Sequence, residues 1–129
     1  MSDKELVARF FVEGYQNRNY DFILKCLSEN YIDHSPAGAG SNQDAVNILI
    51  AVSKMFGDMQ VGIEDIFSEN GMVATRIRYK AVHIGEYMGI AATGKNISFE
   101  ALENFKVADG KIVESWGYWP DKEIEGLLK

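Results

Sequence analysis

Hydrophobic periodicity divides the chain into a helical first half and an extended second half. Apolar residues recur at helical spacing over residues 6–15, 22–27 and 45–56, which predicts three amphipathic helices. From Met59 onward apolar and polar residues alternate, which is the period of half-buried strands. This alternation predicts four long antiparallel strands, and a short extended piece at residues 31–35 precedes the third helix.

Helices and strands that are segregated in this way are typical of an α+β fold, in which the helices cover one face of an antiparallel sheet. A sheet of this size must twist, so the pattern predicts a cone-shaped, curved antiparallel sheet wrapped around three N-terminal helices. The mouth of such a cone suits a small ligand. No repeat or linker interrupts the sequence, and residues 1–129 are expected to form a single domain.

The strand that precedes the Asp109-Gly110 turn contains the residue of greatest chemical interest, Glu103. Asp-Gly between two alternating runs is a strong hairpin signal. Odd positions of this strand are apolar and should face the core: Ile97, Phe99, Ala101, Phe105 and Val107. Glu103 interrupts that row, so its carboxyl group is paired, protonated, or at the floor of a wet pocket. Burial should raise its pKa above the ordinary value of about 4.3.

Three further polar side chains are candidates for a pocket. His34 lies next to the loop that starts at Pro36, where it is either a catalytic group or a solvated surface histidine. His83 continues the apolar face of a strand, as a pocket residue or as a satisfied core histidine. Tyr15 ends the apolar stripe of the first helix, with its hydroxyl at the edge of the core or in the pocket.

Composition and charge narrow the classes of partner and compartment. The net charge of −6 argues against nucleic acid as a partner, because neutralising phosphates requires a basic stripe. No apolar run approaches the length of a membrane span and the first residues lack a secretory pattern, so a cytoplasmic location is expected. The single cysteine, Cys26, excludes an internal disulfide and is interpreted as a buried apolar side chain.

Several strings resemble the SnoaL-like polyketide cyclase (ester cyclase) family of the nuclear-transport-factor-two-like superfamily. They are Tyr31-Ile32-Asp33-His34-Ser35-Pro36, His83-Ile84-Gly85-Glu86-Tyr87-Met88-Gly89-Ile90, Thr93-Gly94-Lys95 and Asp109-Gly110-Lys111-Ile112-Val113-Glu114-Ser115-Trp116. With the order of elements, the resemblance covers nearly the whole chain and implies the family's cystatin-like α+β barrel. It is less specific for activity, because this fold hosts cyclases, isomerases, hydratases and plain binding domains.

Polyketide cyclases of this kind close a ring by intramolecular aldol condensation. The resemblance therefore implies acid–base chemistry on an apolar ketone or ester, with no metal and no cofactor. By position, a polar pocket histidine of the characterised cyclases falls on Glu103, and their essential acid/base aspartate falls on Gly117, which has no side chain. The general base of the related steroid isomerases falls on Ser35, a poor base. The chain departs from both catalytic patterns.

The register of the last hairpin decides which residues share a cavity with Glu103. A two-residue turn at Asp109-Gly110 would put Glu103 on the face of Glu114 and Trp116. A three-residue loop with left-handed Gly110 in a bulge would put Glu103 on the opposite face of the last strand. That face consists of Val113, Ser115, Gly117 and Trp119. Periodicity alone favours the first register, and the resemblance favours the second, which we adopt.

The adopted register leaves Trp116 and Tyr118 on the outer face of the sheet, which predicts a homodimer through that face. Two main functions stay open for the cone itself. One is an enzyme with Glu103 and His34 as acid and base, and the other is a non-catalytic domain that binds a small hydrophobic ligand. An assembly module is a third possibility. The predicted ligand is flat or elongated and apolar, with contacts to Tyr15, His83, Phe99, Phe105, Ser115 and Trp119.

Overall fold

Four α-helices cover one side of the computed structural model, which describes residues 1–129. They are α1 (Asp3–Phe11), α2 (Tyr20–Cys26), α3 (Asn42–Met55) and α4 (Asp121–Leu128). Ser2 starts α1 with a capping box, because its hydroxyl accepts a hydrogen bond from the Glu5 N–H at 3.1 Å. A π-helical turn, Val12–Gln16, extends α1. The longest helix has 14 residues, and none qualifies as a membrane span.

Five strands form one open sheet in the order β1-β5-β4-β3-β2. They are β1 (Leu27–Asp33), β2 (Phe56–Glu69), β3 (Met72–His83), β4 (Asn96–Ala108) and β5 (Lys111–Tyr118). The predicted α+β class is confirmed. The sheet is mixed rather than wholly antiparallel, because β1 pairs in parallel with β5 at one edge. A parallel pair needs a long crossover, which α3 and the strands β2 to β4 provide.

The turn between β4 and β5 fixes which side chains face inward. Asp109 and Gly110 alone form it, both left-handed with φ of 52° and 76°, as a two-residue type I′ hairpin requires. The expected three-residue loop is therefore wrong. The strand pairing that this loop was expected to produce is nevertheless present. A β-bulge close to the turn shifts the pairing of β4 with β5 by one residue. Glu103 lies directly opposite Gly117.

The core lies between the inner face of the sheet and the helices. Its largest fully buried side chains include Phe11, Ile23, Phe56, Tyr79, Phe99 and Phe105. Aromatic rings from three strands and from the end of α1 meet here, and the centroid of Trp119 lies 4.8 Å from that of Phe99. Cys26 is buried as predicted, and burial raises its pKa to about 12, so its thiol stays protonated.

Candidate functional site

A cavity of about 290 Å³ opens between the helices and the inner face of β1, β4 and β5. Most of its wall is apolar, including Phe10, Ile48, Leu49, Val52, Phe105 and Trp119. The polar side chains that reach it are Tyr15, Tyr31, Asp33, Ser35, Tyr87, Glu103, Ser115 and Asp121. No lysine, arginine or histidine lines it. Any negative charge inside must therefore be stabilised by hydrogen bonds or removed by protonation.

The carboxyl group of Glu103 lies on the β4 wall of this cavity. Tyr79 on β3 donates its phenol hydrogen to Glu103 Oε2 at 2.6 Å. The rest of the side chain lies over Gly117, where an added Cβ would stand 2.7 Å from Glu103 Cγ and 2.9 Å from Oε1. The missing side chain at Gly117 thus provides the space that Glu103 occupies. The part of Glu103 that remains accessible faces the cavity.

The environment raises the pKa of Glu103 to about 7. Loss of hydration on burial is the main cause, the hydrogen bond from Tyr79 opposes it, and the negative charge of Asp33 adds to it. The direction agrees with the sequence prediction. Burial also raises the pKa of Tyr79 well above its ordinary value, so the phenol remains a donor. A carboxyl group with a pKa of about 7 can serve both as an acid and as a base near neutral pH.

A second polar cluster lies at the edge where β1 meets β5. Asp33 Oδ1 accepts hydrogen bonds from the Ser35 N–H at 2.8 Å and from the Ser115 hydroxyl at 3.3 Å. Asp33 Oδ2 accepts one from the Ser35 hydroxyl at 2.7 Å. The Tyr31 hydroxyl is hydrogen-bonded to Ser115 Oγ. These bonds hold the Asp33 carboxylate at the cavity without a cation.

Four residues predicted to contact a ligand line the cavity together with Glu103. They are Tyr15, Phe105, Ser115 and Trp119. Tyr15 extends from the π-helical turn at the end of α1, and its ring lies 5.2 Å from that of Tyr79. Phe105 and Ser115 face inward from paired positions of β4 and β5. The adopted register accounts for this grouping, because it brings Ser115, Gly117 and Glu103 to one face.

The structure does not bring His34 to Glu103. His34 Nε2 lies 2.8 Å from Glu114 Oε2, and its ring stacks on Trp116 at 5.0 Å on the outer face of the sheet. Successive side chains of an extended segment point to opposite faces, so His34 faces outward because Asp33 faces the cavity. The acid–base pairing expected of Glu103 and His34 is therefore absent from this geometry.

His83 and Phe99 also lie outside the cavity wall. His83 is fully buried, and its Nδ1 accepts from the Thr93 N–H at 3.1 Å, which leaves the ring proton on Nε2 without a partner. His83 is therefore a core histidine outside the cavity, but it is not the fully satisfied one that the sequence left open, because Nε2 has no partner. Phe99 is buried behind Trp119, and it supports the wall without lining it.

Sequence reasoning did not select Asp33, Tyr31 or Tyr79. The signal for the first two was present, since alternation along β1 puts Tyr31 and Asp33 on the same face. Tyr79 belongs to the inward row of β3 opposite Phe99, but the reach of its hydroxyl to Glu103 depends on the β3–β4 register. No group of three or more His, Cys, Asp or Glu side chains comes together to hold a metal ion.

Comparisons with known proteins agree on the family and on the fold. The family model for SnoaL-like polyketide cyclases matches residues 5–124. Aklanonic acid methyl ester cyclase DnrD from Streptomyces peucetius is 27% identical over 128 residues, covering 94% of this chain and 86% of the relative. AclR, a Streptomyces galilaeus protein named as a hydroxylase, superposes with a TM-score of 0.84 at 29% identity, covering 98% of this chain and 94% of AclR. A SnoaL-like protein from Jannaschia sp. CCS1 shares the fold, with a TM-score of 0.89 at 18% identity over 98% and 90% of the two chains.

Proposed function

The chain belongs to the SnoaL-like polyketide cyclase family, and on that premise we propose that it catalyses cofactor-independent ring closure of a small apolar keto ester. The observation that carries the proposal is Glu103, a carboxyl group with a pKa of about 7 in a largely apolar cavity. Such a group accepts a proton from carbon in one step and returns it to oxygen in the next. The similarity to aklanonic acid methyl ester cyclases supports an ester-bearing ketone as substrate.

The proposed reaction is an intramolecular aldol addition. Glu103 in its carboxylate form removes a proton from the carbon next to one carbonyl group, and the pair of electrons of that C–H bond forms a new C–C bond to a second carbonyl carbon. The π electrons of the second carbonyl move to its oxygen, which takes the proton back from Glu103. The product is an isomer of the substrate. The Tyr79 hydrogen bond to Glu103 Oε2 leaves Oε1, the oxygen over Gly117, for the substrate.

The position of Glu103 supports it as a replacement for the missing family aspartate. The resemblance places that aspartate at Gly117 on β5, and Glu103 is the residue opposite it on β4. The Glu103 side chain fills the space that a side chain at Gly117 would need. We propose that the reacting carboxyl group is on β4 in this chain instead of on β5, at the same place in the cavity.

The remaining pocket residues position the substrate and do not react with it. Phe105 and Trp119 provide flat apolar surfaces, while Tyr15 and Ser115 provide hydroxyl groups at the wall. The cavity volume is about 290 Å³, at the lower end of the range of about 300–1,000 Å³ that is common for small-molecule sites. This volume limits the size of the substrate. A flat or elongated substrate with few polar groups fits this lining.

The test is turnover of aklanonic acid methyl ester and of smaller aromatic keto esters, followed by chromatography and mass spectrometry for an isomeric product. Glu103→Gln should lower the rate by about 100-fold or more, since general acid–base catalysis contributes about 10²–10⁴-fold. Glu100→Gln, a change on the outer face of the same strand, should leave turnover unchanged. If ligands bind but wild type and Glu103→Gln give no product, the chain is a binding domain and the enzyme proposal fails.

We also propose a homodimer through the outer face of the sheet. Leu102 and Tyr118 are paired across β4 and β5 there, and they are 69% and 64% exposed. Trp116 with the stacked His34 continues this apolar area. Sedimentation at micromolar concentration should give twice the chain mass of 14.5 kDa, and Tyr118→Lys should shift the protein toward the monomer. A wild-type mass of one chain would contradict the proposal.

A further inference from the structure

In the polar cluster around Asp33, the donor and the acceptor of each hydrogen bond can be assigned. A carboxylate accepts and does not donate, so the Ser115 and Ser35 hydroxyl hydrogens point to Asp33. Because the Ser115 hydrogen is used in this way, the Tyr31 hydroxyl must donate to Ser115 Oγ. The hydroxyl hydrogens of Tyr31, Ser35 and Ser115 are thus all used within the cluster. The cluster offers a ligand lone pairs and no donor.

Asp33 itself retains room for one more hydrogen bond. Its two oxygens have about four acceptor sites. Oδ1 accepts two hydrogen bonds and Oδ2 accepts one, which leaves one site on Oδ2. No cation lines the cavity to occupy that site. A hydrogen-bond donor on a ligand would complete the coordination of Asp33.

The two polar groups approach the cavity from opposite sides of β5. Asp33 lies beside Ser115 on β1, and Glu103 lies beside Gly117 on β4. Neighbouring strands are about 4.8 Å apart, so the two backbones are about 10 Å apart across the sheet. Ser115 and Gly117 of β5 lie between them, and Phe105 on β4 lies next to Ser115 as part of the apolar cavity wall. A ligand can therefore reach both groups with different ends.

We infer that Asp33 is a specificity-determining residue that binds a hydroxyl group of the substrate, while Glu103 reacts with its ketone end. This inference rests on the proposed function for the role of Glu103. It specifies the substrate class as a flat keto ester or ketone with a phenol or enol hydroxyl at the end remote from the reacting carbon. A ligand that places only carbonyl or ether oxygens against Asp33 is rejected, because two acceptors then face each other without a hydrogen between them.

The test compares two rigid probes, 6-hydroxy-2-acetonaphthone and its 6-methoxy analogue, by calorimetric titration at pH 6, where the phenol is neutral. The wild-type protein should bind the hydroxyl probe about tenfold or more tightly than the methoxy probe, which is the effect of one hydrogen bond to a charged group. Asp33→Asn should reduce the ratio to below about threefold. His34→Asn introduces the same amide at the next residue but on the outer face, and it should keep the wild-type ratio.

The outcomes separate this inference from the proposed function. Equal affinities in the wild-type protein overturn the inference, whether or not Asp33→Asn folds. A ratio that survives in folded Asp33→Asn overturns it as well. Glu103→Gln should keep the hydroxyl preference and lose turnover. A hydroxyl preference that depends on Asp33 in a protein with no turnover would support the binding role and overturn the catalytic proposal alone.

Discussion

Two glutamates on β4, three residues apart, have opposite environments. Glu100 is on the outer face, where its Oε2 lies 2.7 Å from Arg76 Nη1 and 3.2 Å from Arg78 Nη2. Glu103 is on the inner face, where no cation lines the cavity and its partner is the phenol of Tyr79. The odd spacing between them places the two side chains on opposite faces of the strand.

The difference shows how one sheet can hold a charge on one side and a proton on the other. Two arginines pair with Glu100 at little net energy, because exposed ion pairs contribute about 0–1 kcal/mol. Glu103 lacks both, so binding a proton is the way to reduce the cost of its burial. A glutamate therefore has a structural role on the outer face of the sheet and is suited to acid–base chemistry on the inner face.

The largest expected effect is on the pH dependence of stability. The folded protein holds the Glu103 proton up to about pH 7, whereas the unfolded chain releases it near 4.5. Between these values the unfolded state binds fewer protons, so the free energy of unfolding falls as the pH rises, by up to about 3 kcal/mol. Glu103→Gln removes this titration. In urea unfolding, the stability of the variant relative to wild type should rise by that amount from pH 4.5 to 7.5.

Glu100→Gln is the matched control on the outer face. It should change stability by at most about 1 kcal/mol, and the change should shrink in high salt because its ion pairs are exposed. If Glu100→Gln and Glu103→Gln behave alike, the contrast between the two faces is wrong.

A smaller effect on stability is expected at Gly117, where an added side chain would fill the space that Glu103 occupies. Gly117→Ala places a Cβ 2.7 Å from Glu103 Cγ, which should cost about 1–3 kcal/mol of stability as overpacking does. The same change should lower turnover, because Glu103 must move away from its bond with Tyr79. Gly126→Ala in α4 is the control, since nothing lies within 4 Å of its Cβ. A thermal scan that finds Gly117→Ala as stable as Gly126→Ala would show that Glu103 does not occupy this space.

Much of the fold was readable from the sequence, because periodicity is a local signal. The three early helices and the long strands follow from the spacing of apolar residues, and the inward row of β4 places Glu103 inside. The parallel pairing of β1 with β5 was missed, because it joins segments about 80 residues apart and leaves no local pattern.

The site was harder to predict, because it depends on pairing between strands. Glu103, Tyr15, Phe105, Ser115 and Trp119 were placed correctly at the cavity once a register was adopted. The bulge that produces this register has no glycine or proline to mark it in the sequence. His34 was selected and Asp33 was not, although only one of two successive strand residues can face the cavity.

Both the proposed chemistry and the contrast with Glu100 depend on Glu103 exchanging its proton near neutral pH inside the cavity. Carbon-13 labelling of the glutamate carboxyl groups, with the Glu103 signal assigned from its loss in Glu103→Gln, allows its titration to be followed by nuclear magnetic resonance. The midpoint for Glu103 should lie near pH 7, in line with the pKa of about 7 that burial imposes. A midpoint near 4.5, the ordinary value for a glutamate, would show that burial does not raise this pKa.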